Sequence, residues 1–311
     1  MDRAQGRTRL LIASLALLLV GSAEADQVPI RDARWLQTRD LAADLTHQPE
    51  ECLSLPSDPG KRQSVEIGRI AFRAPLLLGG QAARAGMSCS TCHRNGRTNP
   101  DFHFPGLSGA PGTADVTSSI MSEHRGDDIF NPKPIPDLGG DPAKLKQKGT
   151  PKLRTFIHGL ITQEFDGHEP PARVLDGLVD YVNSISPAAC KGIASTPVAL
   201  DSMLRDVDTA VSLAEDSLAT GDVPTALVML RAARSTLGSI DERFRVPGDQ
   251  SSRDVLLQAD AELRAIETAD APTPSMFEAW RKDWPARERQ LRSAEPRSLY
   301  SETVLRRFLS R

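Results

Sequence analysis

The sequence predicts a mainly α protein, with a first domain rich in loops followed by a C-terminal helical bundle or hairpin domain. Three observations lead there. Apolar residues recur at helical spacing through residues 198–311. Residues 94–150 are dense in Gly, Pro, Asn and Asp and carry no sustained period, which is more loop than a compact domain holds unless it wraps something. At the head of that stretch stands the pentapeptide Cys89-Ser90-Thr91-Cys92-His93.

In chain order, residues 1–25 read as a secretory signal. Arg3, Arg7 and Arg9 make a positive start, Leu10 to Val20 an apolar run, and Ala23-Glu24-Ala25 a small-x-small cleavage site near Ala25. The mature chain is expected to begin near Asp26, outside the cytoplasm; left uncleaved, the same segment would act as an N-terminal anchor. Ile30, Trp35, Leu36, Leu41 and Leu45 fit a short amphipathic helix, and residues 56–60 a turn. A helix is expected over residues 63–84, leading to an irregular segment before the pentapeptide. Val174, Leu175, Leu178, Val179 and Val182 predict a helix over residues 174–185, stopped by Ser186-Pro187.

Residues 26–190 thus form the first domain, residues 191–197 a linker and residues 198–311 the helical domain. There, Leu200, Leu204, Val207, Val211, Ala214 and Leu218 share one helix face, and Leu227, Leu230, Leu237, Ile240 and Phe244 another. Gly221-Asp222 joins these helices and Pro247-Gly248 ends the second. Further helices are expected at about 250–268, 275–292 and 298–309, with Trp280 and Trp284 four apart as core side chains.

Composition sets bounds. The 38 Lys and Arg nearly balance the 41 Asp and Glu, so no bulk charge argues for nucleic acid or an anionic membrane, and neither is expected as a partner. After residue 25 no stretch approaches the ~20 apolar residues of a membrane span. Aromatic residues are scarce at 5%, which a first domain cored by a large apolar cofactor tolerates.

Cys-x-x-Cys-His is the attachment pattern of a c-type haem: each thiol forms a thioether with one vinyl group, and the histidine supplies an axial nitrogen to iron. One covalent haem c held by Cys89, Cys92 and His93 is therefore the leading reading, and with it a cytochrome c-like haem domain. A zinc site wants a second Cys or His pair at ligand spacing, and a thioredoxin-like dithiol wants a strand before and a helix after it, where this chain has Gly86-Met87-Ser88 and Arg94-Asn95-Gly96. The export signal supports the haem reading. Of the four cysteines, Cys52 and Cys190 remain; a disulfide between them would tie the start of the first domain to its end, the alternative being two free buried thiols.

Val65-Glu66-Ile67-Gly68-Arg69-Ile70-Ala71-Phe72, Pro75-Leu76-Leu77-Leu78 and Ser88-Cys89 before the motif, then Thr150-Pro151-Lys152-Leu153-Arg154, Phe165-Asp166-Gly167 and the helix from Leu175 to Asn183, stand in an order that resembles the di-haem cytochrome c peroxidase and MauG family. The resemblance covers about residues 65–186. It implies one half of that family's fold, with a single haem instead of two, so no relay between haems within the chain. Val182 stands where one family half has a Met or Tyr ligand, with Tyr181 beside it. His103, in Phe102-His103-Phe104-Pro105, resembles a distal histidine and is the first candidate for sixth ligand; Met121 is the second, then His124, with His158 and His168 as weaker ones. His47 and His158 read as ordinary surface or core histidines, and Met87 is too near the motif to cross the haem. Arg154 is a candidate partner of a haem propionate, since a guanidinium suits a carboxylate.

Two strong axial ligands would make an electron carrier, exchanging electrons with a periplasmic redox protein or dehydrogenase. An open sixth site with His103 as proton shuttle would make a peroxidase, and the helical domain would also suit an accessory subunit of a larger dehydrogenase. Lys133, Lys144, Lys146, Lys148, Lys152 and Arg154 form a basic segment able to steer an acidic partner, or simply a solvated loop.

Overall fold

The computed structural model describes residues 28–118, 120–140, 145, 147–192 and 195–310. The signal segment, Lys144, Lys146 and part of the expected linker lie outside them. The chain is mainly helical. A 3-10 turn (Arg31–Trp35) and α1 (Leu41–Thr46) lead to β1 (His47–Gln48) and α2 (Pro59–Phe72); α3 (Gly80–Ala85) and α4 (Cys89–Cys92) follow. A long irregular stretch holds only β2 (Thr113–Ala114) and β3 (Lys133–Pro134), which pair antiparallel. Then come α5 (Lys152–Gly159, continued by a wider turn over Leu160–Glu164), α6 (Ala172–Ser184), β4 (Thr196–Pro197), α7 (Leu200–Ala219), α8 (Val223–Arg243), α9 (Gln250–Thr268), α10 (Pro274–Ala294) and α11 (Glu302–Leu309).

Helix α2 starts where Asp58 accepts the Lys61 amide at 2.7 Å and Pro59 opens the first turn. It was expected to run to residue 84, but it stops at Phe72. Ala74 precedes Pro75 and is held extended, which breaks the helix before the short 3-10 turn at Pro75–Leu77. The expected helix over residues 174–185 is α6. These two helices cross at backbone distance: a Cβ on Gly68 would lie 1.9 Å from the Gly177 carbonyl oxygen, and one on Gly177 2.8 Å from the Gly68 amide. The Cys52–Cys190 disulfide forms past the C-terminal end of α6, where the Leu53↔Ile185 bridge brings the two chain segments together.

The bundle follows its apolar periods closely. Asp222 caps α8 by accepting the Thr225 amide, and Gly221 at φ +77 makes the turn from α7. Trp280 and Trp284 are buried and stacked, centroids 4.7 Å apart. Helices α7 and α8 pack on α2, so one apolar core continues from Phe72 and Tyr181 into Leu204, Leu230 and Trp280. The stretch read as a linker is tied back: Thr196–Pro197 pairs antiparallel with His47–Gln48. A second cluster joins Val28, Ile30 and Leu45 to Leu299 and Leu305 of the C-terminal end. Among the described residues no helix is long and apolar enough to cross a membrane.

The crossing predicts opposite effects for two glycines. Gly68→Ala forces the backbones apart and should cost at least about 3 kcal/mol in urea unfolding, whereas Gly238→Ala, mid-helix with open space around its Cβ, should stabilise by about 0.5 to 1 kcal/mol. The disulfide closes a sequence separation of 138 residues, so its reduction should cost about 4 to 5 kcal/mol in the same measurement.

Candidate cofactor site

The pentapeptide forms a single helical turn, α4. Ser88 opens it, with its amide donating to Thr91 Oγ1 at 3.0 Å, and the His93 amide closes it on Cys89 O. Cys89 and Cys92 remain unlinked to each other, and both pack partly buried against the main apolar core. Burial pushes their thiols up to about 11 and about 12. At neutral pH both are therefore thiols rather than thiolates, unlike the low-pKa cysteine of a redox-active dithiol.

Four consecutive residues on the far side of the loop hold the end of this turn. Ile135 O accepts from Thr98 Oγ1 at 3.0 Å, Pro136 O faces His93 Nδ1 at 3.0 Å, Asp137 pairs with Arg97 at 2.7 Å, and Leu138 N donates to Gly96 O. A carbonyl only accepts, so Nδ1 of His93 carries the proton and Nε2 keeps its lone pair. Burial, partly opposed by that hydrogen bond and by Asp137, pushes the imidazole down to about 4, and the ring is neutral. A metal-ligating imidazole is oriented in this way through its second nitrogen. The Phe72 ring lies 6.4 Å from that of His93 and 5.1 Å from that of Tyr181.

Two thiols on one helical turn and a neutral imidazole with a free nitrogen suit the haem that the motif implies. Trp35, stacked on Phe104 at 5.1 Å, has a buried indole N–H with no acceptor among the described residues.

The candidates for the opposite haem face separate by burial. Met121 is 1% exposed and belongs to the main apolar core. His103 is half-buried, with its backbone amide on Trp35 O. His124 is exposed and 3.8 Å from Asp166, His158 bonds Glu169 at 2.7 Å, and His168 is exposed. Met87 is buried and His47 bonds Thr46 Oγ1. Arg154, expected to meet a propionate, instead donates to Asp176 at 2.7 Å in an exposed pair. Lys148, read as part of a steering patch, turns inward and donates to Leu138 O and Ile185 O, with burial lowering its pKa; those carbonyls need a donor more than solvent needs the charge. Lys133 remains exposed.

Sequence reasoning passed over Glu51. Its carboxylate takes the Tyr181 hydroxyl and Arg73, both at 2.7 Å, and Arg69 at 3.2 Å; Arg69 continues to Asp206 of α7 and Arg73 to Asn95. One cluster thus joins the disulfide loop, α2, α6, the residues after the motif and the bundle. Its adjacency to Cys52 was the only hint in the sequence. Burial raises the Glu51 pKa, but Arg73, Arg69 and Tyr181 together hold it below its ordinary 4.5.

A carboxylate held below its unfolded value stabilises the fold fully above that value and progressively less as pH falls through the lower, folded one. Glu51→Gln should therefore cost about 2 to 3 kcal/mol at neutral pH. The gap between wild type and variant in urea unfolding should hold down to about pH 4.5 and shrink below it. No family model matches this chain, and neither a curated protein sequence nor a solved structure was found to be similar to it.

Proposed function

We propose that this chain is an exported mono-haem c-type cytochrome that passes electrons to or from a periplasmic redox protein or dehydrogenase. On this reading its first domain is a single-haem relative of one half of the di-haem peroxidase and MauG fold, with the bundle appended. The observation that carries it is the hydrogen bond from His93 Nδ1 to Pro136 O within a Cys-x-x-Cys-His turn, because it leaves Nε2 free beside two unlinked thiols.

The bound group would supply reversible one-electron chemistry at iron. The chain's own residues set its terms. Cys89 and Cys92 fix the group covalently, and His93 is held in one tautomer by Pro136. Met121 is the preferred second ligand, because its thioether is fully buried whereas His103 is half-buried and the other histidines are engaged or exposed. A thioether ligand and an apolar surround both raise the reduction potential. Redox traffic at neutral pH needs no proton from His93, whose ring is neutral and committed.

Optical spectra of the ferric and dithionite-reduced protein, expressed with periplasmic haem-attachment machinery, test the reading. Low-spin spectra are expected in both states, with Met121→Ala turning the ferric form high-spin and His103→Ala leaving it low-spin. A high-spin ferric wild type would overturn the carrier reading and direct attention to peroxide turnover.

A further inference from the structure

Beside the motif turn, α2, α4, α7 and α8 line an open cavity of about 460 Å³ whose wall includes none of Cys89, Cys92 and His93. Its wall includes Ser88, Ser90 and Thr91 of the motif turn and Ser202, Ser235 and Ser239 of the bundle. Six guanidiniums face it against four carboxylates, an excess of positive charge. Pairing does not remove the excess. Arg31 is matched by Glu242 at 3.1 Å, Arg69 by Asp206, and Arg73 by Glu51.

Arg94 and Arg243 are different. Arg94 Nη2 donates to the carbonyls of Asp44 and His47 at 2.7 and 2.8 Å, and Arg243 donates to those of Leu45 at 2.8 Å and Leu299 at 3.3 Å. Backbone carbonyls orient these two side chains without cancelling their charge, and neither forms an ion pair among the described residues. Arg243 is 5% exposed and lies over the Tyr300 ring at 4.9 Å. Arg205, exposed at the rim, also lacks an ion pair there, and only Asp32 on the wall is likewise unmatched among the carboxylates. Asp32 on the wall and Asp44 and Asp101 nearby act on half-buried Arg94 without an ion pair, and Arg243 beside it opposes them; an anion drawn into the cavity would gain from both guanidiniums. The hydroxyl-rich wall offers donors and acceptors for the rest of such a molecule.

We propose that this cavity is a second binding site, taking a small organic anion, a carboxylate or a phosphate ester, between Arg94 and Arg243. The site is distinct from the thiol face of the motif and does not depend on the haem reading. Calorimetric titration of the purified full chain with inorganic phosphate and, separately, with citrate tests it. One-to-one binding of at least one probe is expected, citrate alone identifying carboxylates and phosphate alone phosphate esters. Arg94→Gln should weaken it at least about tenfold. Ser235→Glu places a carboxylate in the same cavity from a half-buried position on α8, and should weaken binding as much; its melting curve serves as the folding check should Arg94→Gln fail to fold. Absence of binding tighter than about 1 mM for both probes, or unchanged binding in a folded Ser235→Glu protein, would overturn the proposal. The heat is read whether or not the chain carries haem, so a chain that binds citrate but loads no haem would remove the cytochrome reading and leave this one standing.

Discussion

The contact of α2 with α6 at Gly68 and Gly177 sets the geometry of the first domain. Because neither residue has a side chain, the two helix backbones touch, and the segments at their ends inherit fixed positions. The C-terminal end of α2 delivers Arg73 to Glu51 and Asn95; the C-terminal end of α6 delivers Ile185 against Gly96 and its carbonyl to Lys148. Asn95 and Gly96, two and three residues after His93, both sit at positive φ, so the motif turn ends in a tight reversal clamped from both helices. A single methyl group at the crossing would loosen every one of these contacts together.

The bundle is bound into this arrangement rather than hung from it. Arg69 of α2 reaches Asp206 of α7, and the apolar core runs through the same interface. The N-terminal arm returns the favour in the opposite direction: Arg31 bonds Glu242 and Ser239 of α8, Arg306 of α11 pairs with Asp40, and Arg243 holds Leu45 O. Order in the N-terminal arm and at α2 thus depends on residues more than a hundred positions away. Such long-range ties fix the surroundings of the motif turn, the kind of support a pre-organised site would need.

The sequence made the helical domain legible because its signal is local. Apolar residues at a 3.6 period, Gly221-Asp222 between helices and Pro247-Gly248 after the second mark α7 to α11 within a residue or a few. The pentapeptide was equally plain. What holds it was not, because the ties of His93, Thr98 and Gly96 to residues 135–138 involve backbone groups that any side chains would supply. Helix α5 escaped notice, since Gly149-Thr150-Pro151 reads as loop and the helix that follows is short, with exposed Phe156 interrupting its apolar face. Lys148 and Arg154 looked alike in a basic run; only the fold turns one inward to carbonyls and pairs the other with Asp176.

Covalent attachment through both thiols of the motif is the claim on which the functional account rests. Intact mass of the protein, expressed in a periplasm with haem-attachment machinery and denatured before measurement, tests it most directly. The account predicts one added haem that survives denaturation in the wild type and is absent from Cys89→Ala/Cys92→Ala. A wild-type mass without haem, or a Cys89–Cys92 disulfide in its place, would contradict it.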